Sequence, residues 1–332
     1  MALTGTTLAA CGNTAHPASA SSPGSFYHGK TLELLVPNAP GGNIDVTARV
    51  AAPFLAKRLG AAAVKVVDVT GAGGVIGLDQ LWNAQKNGLT VGYTNVPVSL
   101  LTGVVGGSGV TYVPGKFIYL GRITAEPRLL VVSSKSPIKT VADLKGKTVK
   151  VPSTGFDDSF YTIAALGHSI GFKPQFVTGF ANLAAATDSL ATGSTTIEEG
   201  DLSSLVPSIN AGLVRPLLIE TSGAKPSKFQ NLPLWTSVAT QDTKLVNAFV
   251  SLVGIEGSFF APPGTPASAV SALRAAVTKL AADHNFQAQA TKAGTQLDYM
   301  SGTAEEAGVQ KLLAEMKPYV GTLRSARASV AG

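Results

Sequence analysis

Short apolar runs alternate with glycine-rich loops and with segments of helical periodicity along most of the chain. In its first third, the runs at residues 31–37, 64–69 and 90–94 have the length of buried strands. Two of them lead through a glycine loop into segments with helical patterning, residues 46–59 and 76–85. This repeated strand–loop–helix order predicts an α/β fold with a mostly parallel sheet.

A second unit with the same alternation begins near residue 129 and ends near Gly254. The two units share no internal repeat beyond this common order of elements. In the second unit, the hydrophobic pattern predicts strands at residues 129–132, 148–151 and 213–219, helices at 159–170 and 183–190, and a helical turn at 140–144. After this unit it predicts helices at 267–282 and within 303–323.

The composition describes a folded chain of one or two domains. Hydrophobic residues make up 45% of the 332 residues and charged residues 14%, against about 25% charged in a typical soluble domain. Intrinsic disorder requires the opposite balance, so most of the chain is expected to fold. The apolar runs stay shorter than the roughly 18 residues of a transmembrane helix. The net charge of +6 comes from scattered basic residues without interleaved aromatics, so we expect no nucleic-acid partner.

Cys11 is the single cysteine, which excludes an internal disulfide and a Cys-rich metal site. Its context at residues 8–12, Leu-Ala-Ala-Cys-Gly, resembles a bacterial lipobox, in which the cysteine is lipidated after cleavage. Residues 13–25 are rich in Ala, Ser and Pro and carry no Asp, Glu, Lys or Arg, which is typical of a tether. The residues before Cys11 are too few and too uncharged for a complete signal peptide. We interpret residues 1–28 as a truncated lipoprotein signal and flexible tether, with a free thiol in a disordered tail as the alternative.

Three glycine- or serine-rich loops stand at predicted strand-to-helix junctions, at residues 40–45, 71–77 and 153–159. A helix N-terminus offers free backbone N–H groups and a positive dipole end, and glycine lets a ligand approach the backbone closely. Three such loops in two α/β units predict a cleft that binds an anion.

Other chemistries find less support in the sequence. The glycines of residues 71–77 have a G-x-G-x-x-x-G spacing, one residue longer than the dinucleotide fingerprint, and no acidic residue follows at 90–97. The S-x-x-K matches at 136–139 and 222–225 lack companion motifs, and the four histidines have no ligand spacing. We therefore expect no cofactor and no metal. The acidic pairs Asp157–Asp158 and Glu198–Glu199 stay open to three interpretations: acid–base chemistry, contact with a cationic ligand group, or solvated loops.

Four segments form an ordered set of signatures along the chain. They are residues 39–49 (APGGNIDVTAR), 70–77 (TGAGGVIG), 136–144 (SPIKTVADL) and 260–266 (FAPPGTP). In order and spacing they resemble the solute-binding proteins of tripartite tricarboxylate transporters, also called the Bug family, over about residues 29–320.

The resemblance implies an α/β, two-domain type II periplasmic-binding-protein fold with a ligand cleft between the domains. Residues 29–128 plus 256–332 would form the first domain, and residues 129–255 the second. The implied function is capture of a small carboxylate by domain closure and its delivery to the membrane permease subunits of the transporter. The protein would be a monomer outside the cytoplasm, held at a membrane surface by lipid on Cys11, and not an enzyme. The residues expected at the ligand are Asn38, Pro40, Gly41, Gly42, Asn43, Asp45, Gly73, Gly74, Val75, Asn95, Ser153, Thr154, Gly155, Asp158, Ser159, Phe180 and Glu199.

The chain departs from the family pattern within the second unit. The loop S-x-G-x-G-S keeps Gly155 but carries the acids of residues 157–158 before its final serine. A Y-K-G segment is replaced at residues 177–181, where Phe180 favours an apolar or aromatic ligand. An aspartate of the family is replaced by Thr196, with two glutamates just after it. Negative charge beside a carboxylate site weakens anion binding, so these acids either point away or meet a cationic or hydroxyl-bearing part of the ligand.

Two other functions remain open from the sequence. An α/β hydrolase could use Asp157 or Asp158, and a sensory lipoprotein could use the same cleft to inform a signalling partner. Dicarboxylates and aromatic carboxylates are the leading ligand classes.

Overall fold

The structure is a computed structural model that describes Met1 and residues 26–107 and 109–331. The predicted lipidation site, Cys11, and most of the predicted tether lie outside these residues. The tether was predicted three residues too long, because the fold already includes residues 26–28. The Tyr27 ring is fully buried, and its hydroxyl donates to the Gly88 carbonyl oxygen over 3.0 Å.

The first sheet has six strands in the order β11-β4-β10-β3-β1-β2. Strands β1, β2 and β3 run parallel, whereas β10 is antiparallel to both β3 and β4, and β11 is antiparallel to β4. Apolar residues cover both faces of its central strands, as expected for strands packed between helices. The strands are β1 Thr31–Val36, β2 Ala63–Asp68, β3 Thr90–Asn95, β4 Ile118–Thr124, β10 Gly257–Ala261 and β11 Leu297–Ser301.

The second sheet is antiparallel, in the order β8-β5-β9, and a parallel β6-β7 pair lies beside it. The backbone N–H of Thr196 donates to the Lys150 carbonyl oxygen over 2.7 Å, which joins β6 to the start of β8. The strands are β5 Arg128–Ser133, β6 Thr148–Ser153, β7 Lys173–Thr178, β8 Ile197–Asp201 and β9 Val214–Glu220.

The prediction of a mostly parallel sheet is therefore wrong. The strand–loop–helix order holds for β1 to β3 and for β6 to β7, and these are the parallel parts. The chain leaves the first sheet after β4 and returns to it at β10, so the returning strand enters between β3 and β4 in the opposite direction.

Helices cover the sheets, and several begin earlier than predicted. Helix α1 starts at Asn43 and ends at Leu59. Gly60 follows it with a left-handed backbone conformation that favours glycine. The amphipathic segment at 303–323 is two helices separated by a 3₁₀ turn that contains Pro318. The helices are α1 Asn43–Leu59, α2 Val75–Trp82, α3 Val96–Val105, α4 Asp158–Ile170, α5 Leu183–Thr192, α6 Leu202–Asn210, α7 Trp235–Val238, α8 Thr243–Val253, α9 Ala267–Ala281, α10 His284–Lys292, α11 Gly302–Met316 and α12 Val320–Ala331.

One apolar core continues from the first sheet into the second. Leu101 of α3, Phe160 of α4 and Phe249 of α8 belong to the same cluster of buried residues. The chain crosses between the sheets at residues 125–127 and 254–256, and each crossing carries a buried glutamate, Glu126 or Glu256. Within the described part of the chain, no helix combines the length and hydropathy needed to cross a bilayer.

Candidate functional site

A cleft of about 570 Å³ lies between the two sheets, at the ends of strands that lead into helices. This volume is within the range of sites for small molecules. The first sheet contributes residues 37–40, 42–44 and 70–74 with Asn95, and the second contributes residues 151–154, 157–160 and 198–201, among others. The carboxyl ends of parallel strands are the usual place for ligands in α/β folds.

Most of the predicted ligand contacts line this cleft, but five do not. Gly41, Asp45, Val75, Gly155 and Phe180 are absent from the lining, and the residues after Phe180 take its place. The predicted residues that do line the cleft are Asn38, Pro40, Gly42, Asn43, Gly73, Gly74, Asn95, Ser153, Thr154, Asp158, Ser159 and Glu199.

Helix α1 presents an uncapped N-terminus to the cleft. Its N-cap is Gly42, and no side chain accepts from the first-turn N–H groups. By contrast, Asp157 caps α4 and Asn182 caps α5 through their side chains. The first-turn N–H groups of a helix have no acceptor within the helix, so those of α1 are available to an anion in the cleft.

Asp45 stabilises this N-terminus and is not among the residues that line the cleft. Its carboxylate accepts from the Gly41 N–H over 2.7 Å and pairs with Arg49 Nε at 2.7 Å. Burial acts to raise the pKa of Asp45, but the hydrogen bonds from Arg49 and Gly41 outweigh it and hold the pKa below its usual value. Asp45 was expected at the ligand, and in this structure it holds the glycine loop that carries Gly42.

Two loops of the cleft, residues 71–74 and residues 153–157, contact each other directly. A Cβ atom built on Gly73 would come within 3.0 Å of Asp157 N, and one built on Gly155 within 3.1 Å of Gly73 N. Gly73 also has a φ of +66°, which disfavours other residues. These glycines therefore allow a backbone-to-backbone approach that closes one side of the cleft, and we call the two loops its lips.

Arg128 is the cationic residue that the sequence analysis missed. It begins β5, where it pairs in register with Asp201 of β8 and Glu220 of β9. Side chains two residues apart share a face of a strand, so Glu199 joins Asp201 beside the guanidinium. Arg128 forms ion pairs with Asp158, with Glu199 and, at 3.5 Å, with Asp201. Its Nη2 also donates to Ser159 Oγ over 2.8 Å.

Five carboxyl groups line the second-sheet side of the cleft, and we call them the acidic wall: Asp157, Asp158, Glu198, Glu199 and Asp201. They do not point away from the cleft into solvent, so the solvated interpretation of the acidic pairs is wrong. Arg128 neutralises part of this charge, and the Asp157 carboxylate caps α4 by accepting from the Phe160 N–H over 3.0 Å. No group of three acids, histidines or cysteines within residues 26–107 and 109–331 is arranged to hold a metal ion.

Burial raises the pKa values of Asp157, Glu198, Glu199 and Asp201 in the acidic wall. The pKa of Glu198 rises to about 8, chiefly because burial penalises its charged form. The pKa values of Asp157, Glu199 and Asp201 rise for the same reason, with neighbouring carboxylates adding to the effect. Because these pKa values are higher in the folded than in the unfolded chain, this part of the stability falls as the pH rises through them.

Hydroxyl groups of the second-sheet loop support the loop itself. Ser153 Oγ donates to the Gly155 carbonyl oxygen over 2.6 Å, and Thr154 bonds to the Asp157 carboxylate. Ser159 Oγ donates to the Glu199 carbonyl oxygen over 3.3 Å. Ser153, Thr154 and Ser159 were expected at the ligand, and in this structure each of their hydroxyl groups is engaged within the protein.

Glu126, in the crossing between β4 and β5, connects the two sides of the cleft. Its Oε1 accepts from Asn43 Nδ2 over 2.9 Å and from Ser203 Oγ over 2.7 Å, and its Oε2 accepts from the Ser203 N–H over 2.7 Å. The starts of α1 and α6 are therefore fixed to one side chain in the crossing.

Solved structures with the same fold include several binding proteins. The periplasmic binding protein BugD is 20% identical, with a TM-score of 0.70 over 90% of this chain and 97% of that one. MatC from Rhodopseudomonas palustris, with bound malate, is 22% identical, with a TM-score of 0.72 over 88% of this chain and 99% of that one. A second R. palustris protein, with adipate, is 20% identical, with a TM-score of 0.69 over 89% and 97%. No curated protein sequence matches the chain.

The family comparison decides between a solute-binding protein and a hydrolase. The model of the tripartite tricarboxylate transporter family receptor matches residues 47–323, which is most of the chain. A receptor of this kind binds a solute outside the cytoplasm and does not transform it, so the hydrolase alternative is wrong. The resemblance seen in the sequence signatures and the two-domain fold are confirmed. The chain belongs to the tripartite tricarboxylate transporter receptor family, and it is an extracytoplasmic solute-binding protein.

Proposed function

We propose that the protein captures a small carboxylate in the cleft and delivers it to the permease subunits of a tripartite tricarboxylate-type transporter. The observation that carries this proposal is the uncapped N-terminus of α1 facing the cleft, with the glycine loop of residues 71–74 beside it. Backbone N–H groups at a helix N-terminus are a suitable partner for a carboxylate. Malate and adipate in two proteins of the same fold support the ligand class.

The carboxylate would bind on the first-sheet side of the cleft. The N–H groups at the start of α1 would donate to it, and so would the side-chain NH₂ of Asn38. The Asn38 side-chain oxygen already accepts from Thr94 Oγ1 over 2.7 Å, which leaves the NH₂ as the group for a ligand. Of the predicted contacts, Gly42, Asn43, Gly73 and Gly74 belong to this side, whereas Asp158 and Glu199 hold Arg128.

Capture would proceed by closure of two domains, residues 29–128 plus 256–332 and residues 129–255. The boundaries are supported by the two crossings between the sheets, at residues 125–127 and 254–256. Closure would hold the glycine lips in the contact that they make in this structure, and the ligand's binding free energy would offset the cost of closing.

The proposed setting of the protein is a membrane surface. A lipid on Cys11 would hold the chain there through the segment before residue 26, and the protein would act as a monomer. A permease would receive the ligand when the cleft opens.

A thermal-shift screen of the full chain tests the proposed ligand class. The panel contains mono-, di- and tricarboxylates and aromatic carboxylates, with nucleosides and neutral sugars as controls. Ligands that bind only the native state raise the melting temperature, by an amount that grows with concentration over the dissociation constant. We expect a concentration-dependent rise with at least one carboxylate and none with the controls. A rise with a neutral sugar and with no carboxylate would contradict the proposal.

A further inference from the structure

The acidic wall contains one carboxyl group that the protein itself does not use. Asp158, Glu199 and Asp201 pair with Arg128, and Asp157 caps α4. Glu198 is only 2% exposed, lines the cleft, and neither of its side-chain oxygens has a hydrogen-bond partner among the described residues. The nearby Thr187 hydroxyl donates to the Leu183 carbonyl oxygen instead, over 2.9 Å.

A second unpartnered acceptor faces the same space. Asn95 is 5% exposed and lines the cleft from the first-sheet side, and its side-chain oxygen has no partner among the described residues. Buried polar atoms are almost always hydrogen-bonded, because leaving one unpaired costs about 1–3 kcal/mol. Two unpaired acceptors in one cleft call for a ligand that donates hydrogen bonds.

The second-sheet side of the cleft also has an apolar part. The part of the cleft lining next to β8 includes side chains of β6, α4, β7 and α5: Val151, Phe160, Ile163, Phe176, Leu183 and Ala186. The cleft contains a single basic residue among its lining residues, Arg128, and its guanidinium is already shared by three carboxylates. A second carboxylate of a ligand would therefore meet Glu198 here without a free cation to balance it and would oppose the ionised form of that carboxyl, whereas a ligand ammonium would favour the ionised form.

We propose that the ligand is an amino-carboxylate, whose carboxylate binds at the N-terminus of α1 and whose protonated amine donates to Glu198. The apolar part of the ligand, between its two charged groups, would contact the apolar side chains of the cleft lining named above. This inference rests on the proposed carboxylate site and adds the second recognition element, which separates this chain from a receptor for dicarboxylates.

Isothermal titration of the full chain with matched pairs of compounds tests the inference. The pairs are ε-aminohexanoate against adipate and γ-aminobutyrate against succinate, so each pair differs at one end group. We expect the wild-type protein to bind at least one amino-carboxylate about tenfold or more tighter than its matched dicarboxylate, as for the gain or loss of a charge-assisted hydrogen bond. The variant Glu198→Gln keeps the shape of the side chain and removes the carboxyl group that a bound ammonium would ionise, and it should lose this preference.

A matched control is Glu305→Gln. Glu305 is also a buried acid whose pKa burial raises to about 8, but it lies in α11, away from the cleft lining. The control variant should keep the preference of the wild type. Proton release on binding adds a second readout, because an ammonium group beside Glu198 lowers the pKa of that carboxyl; the release should vanish in Glu198→Gln.

The outcomes separate the two proposals. Tighter binding of the dicarboxylates by the wild type, or an unchanged preference in Glu198→Gln, would overturn the inference and leave carboxylate capture standing. Failure of both members of both pairs and of every carboxylate in the thermal-shift panel would overturn carboxylate capture together with the inference.

Discussion

Replacing Arg128 with methionine is expected to lower the free energy of unfolding by about 3–5 kcal/mol at about pH 8, the loss typical of breaking a buried ion pair by removing one partner. The guanidinium is 4% exposed and touches Asp158, Glu199 and Asp201. Methionine fills a similar volume, so the loss comes from the carboxylates left without a cation. Chemical denaturation followed by circular dichroism measures the effect.

The pH dependence of this loss identifies its cause. Burial already raises the pKa values of Glu199 and Asp201 above their unfolded values, and removal of Arg128 raises them further. A carboxyl group whose pKa is higher in the folded than in the unfolded state does not destabilise the fold below its unfolded pKa. Its cost to the free energy of unfolding grows as the pH rises from the unfolded to the folded pKa. The difference between the wild type and Arg128→Met should therefore shrink towards pH 5.

Two control variants complete this test. Arg128→Lys keeps the charge without the planar fork and should fall between the wild type and methionine. Arg58→Met removes an ion pair with Asp283 at the surface and should cost about 1 kcal/mol or less. A loss for Arg128→Met that is equal at both pH values would contradict the electrostatic explanation.

Replacing Gly73 with asparagine is expected to weaken ligand binding at least about tenfold without a matching loss of stability. A Cβ atom at this position would meet the backbone of Phe156 and Asp157 at 3.0 Å, so the lips of the cleft could not close as they do here. A misfit that costs about 1.4 kcal/mol in the closed state alone weakens binding tenfold. Asparagine is the choice because it tolerates a positive φ better than most residues.

Gly212 provides the matched control for this variant. Its φ of +69° is close to the +66° of Gly73, and an added Cβ atom would meet nothing within 4 Å. Gly212→Asn should therefore show the same backbone cost in melting temperature and normal affinity for the best carboxylate of the thermal-shift panel. Equal affinity in the two variants would show that the contact between the lips has no part in binding.

The glycine loops could be predicted from the sequence because their chemistry is local. Gly41, Gly73 and Gly155 have positive φ values, which is the backbone conformation that a tight turn after a strand demands. Residues next to such turns end up at the ends of strands, where the cleft forms. Phe180 and Val75 were misplaced because the direction of a side chain in a loop or a first helical turn depends on packing that the local pattern does not contain.

The cluster of Arg128 with its carboxylates could not be predicted from the local sequence pattern. Arg128 stands directly before the apolar run of residues 129–132 and lies outside the predicted strand. Residues 197–201 have too many acids to resemble a buried strand. The role of these acids as partners of Arg128 depends on pairing between β5 and β8, which are separated by a long stretch of chain. Three carboxylates in a short buried segment would have been the signal that a cation lies opposite. The antiparallel entry of β10 was missed for the same reason, because strand order depends on distant partners.

The most direct test of carboxylate capture follows the backbone N–H signals of the full chain by NMR during titration with the carboxylate that gives the largest thermal shift. If the carboxylate binds at the uncapped start of α1, the signals of Asn43 and Ile44 shift most strongly and saturate at one ligand per chain. The Gly212 signal, in a turn outside the cleft lining, should stay in place. Saturable binding that leaves the Asn43 and Ile44 signals unmoved would contradict the account, because the carboxylate would then be held elsewhere.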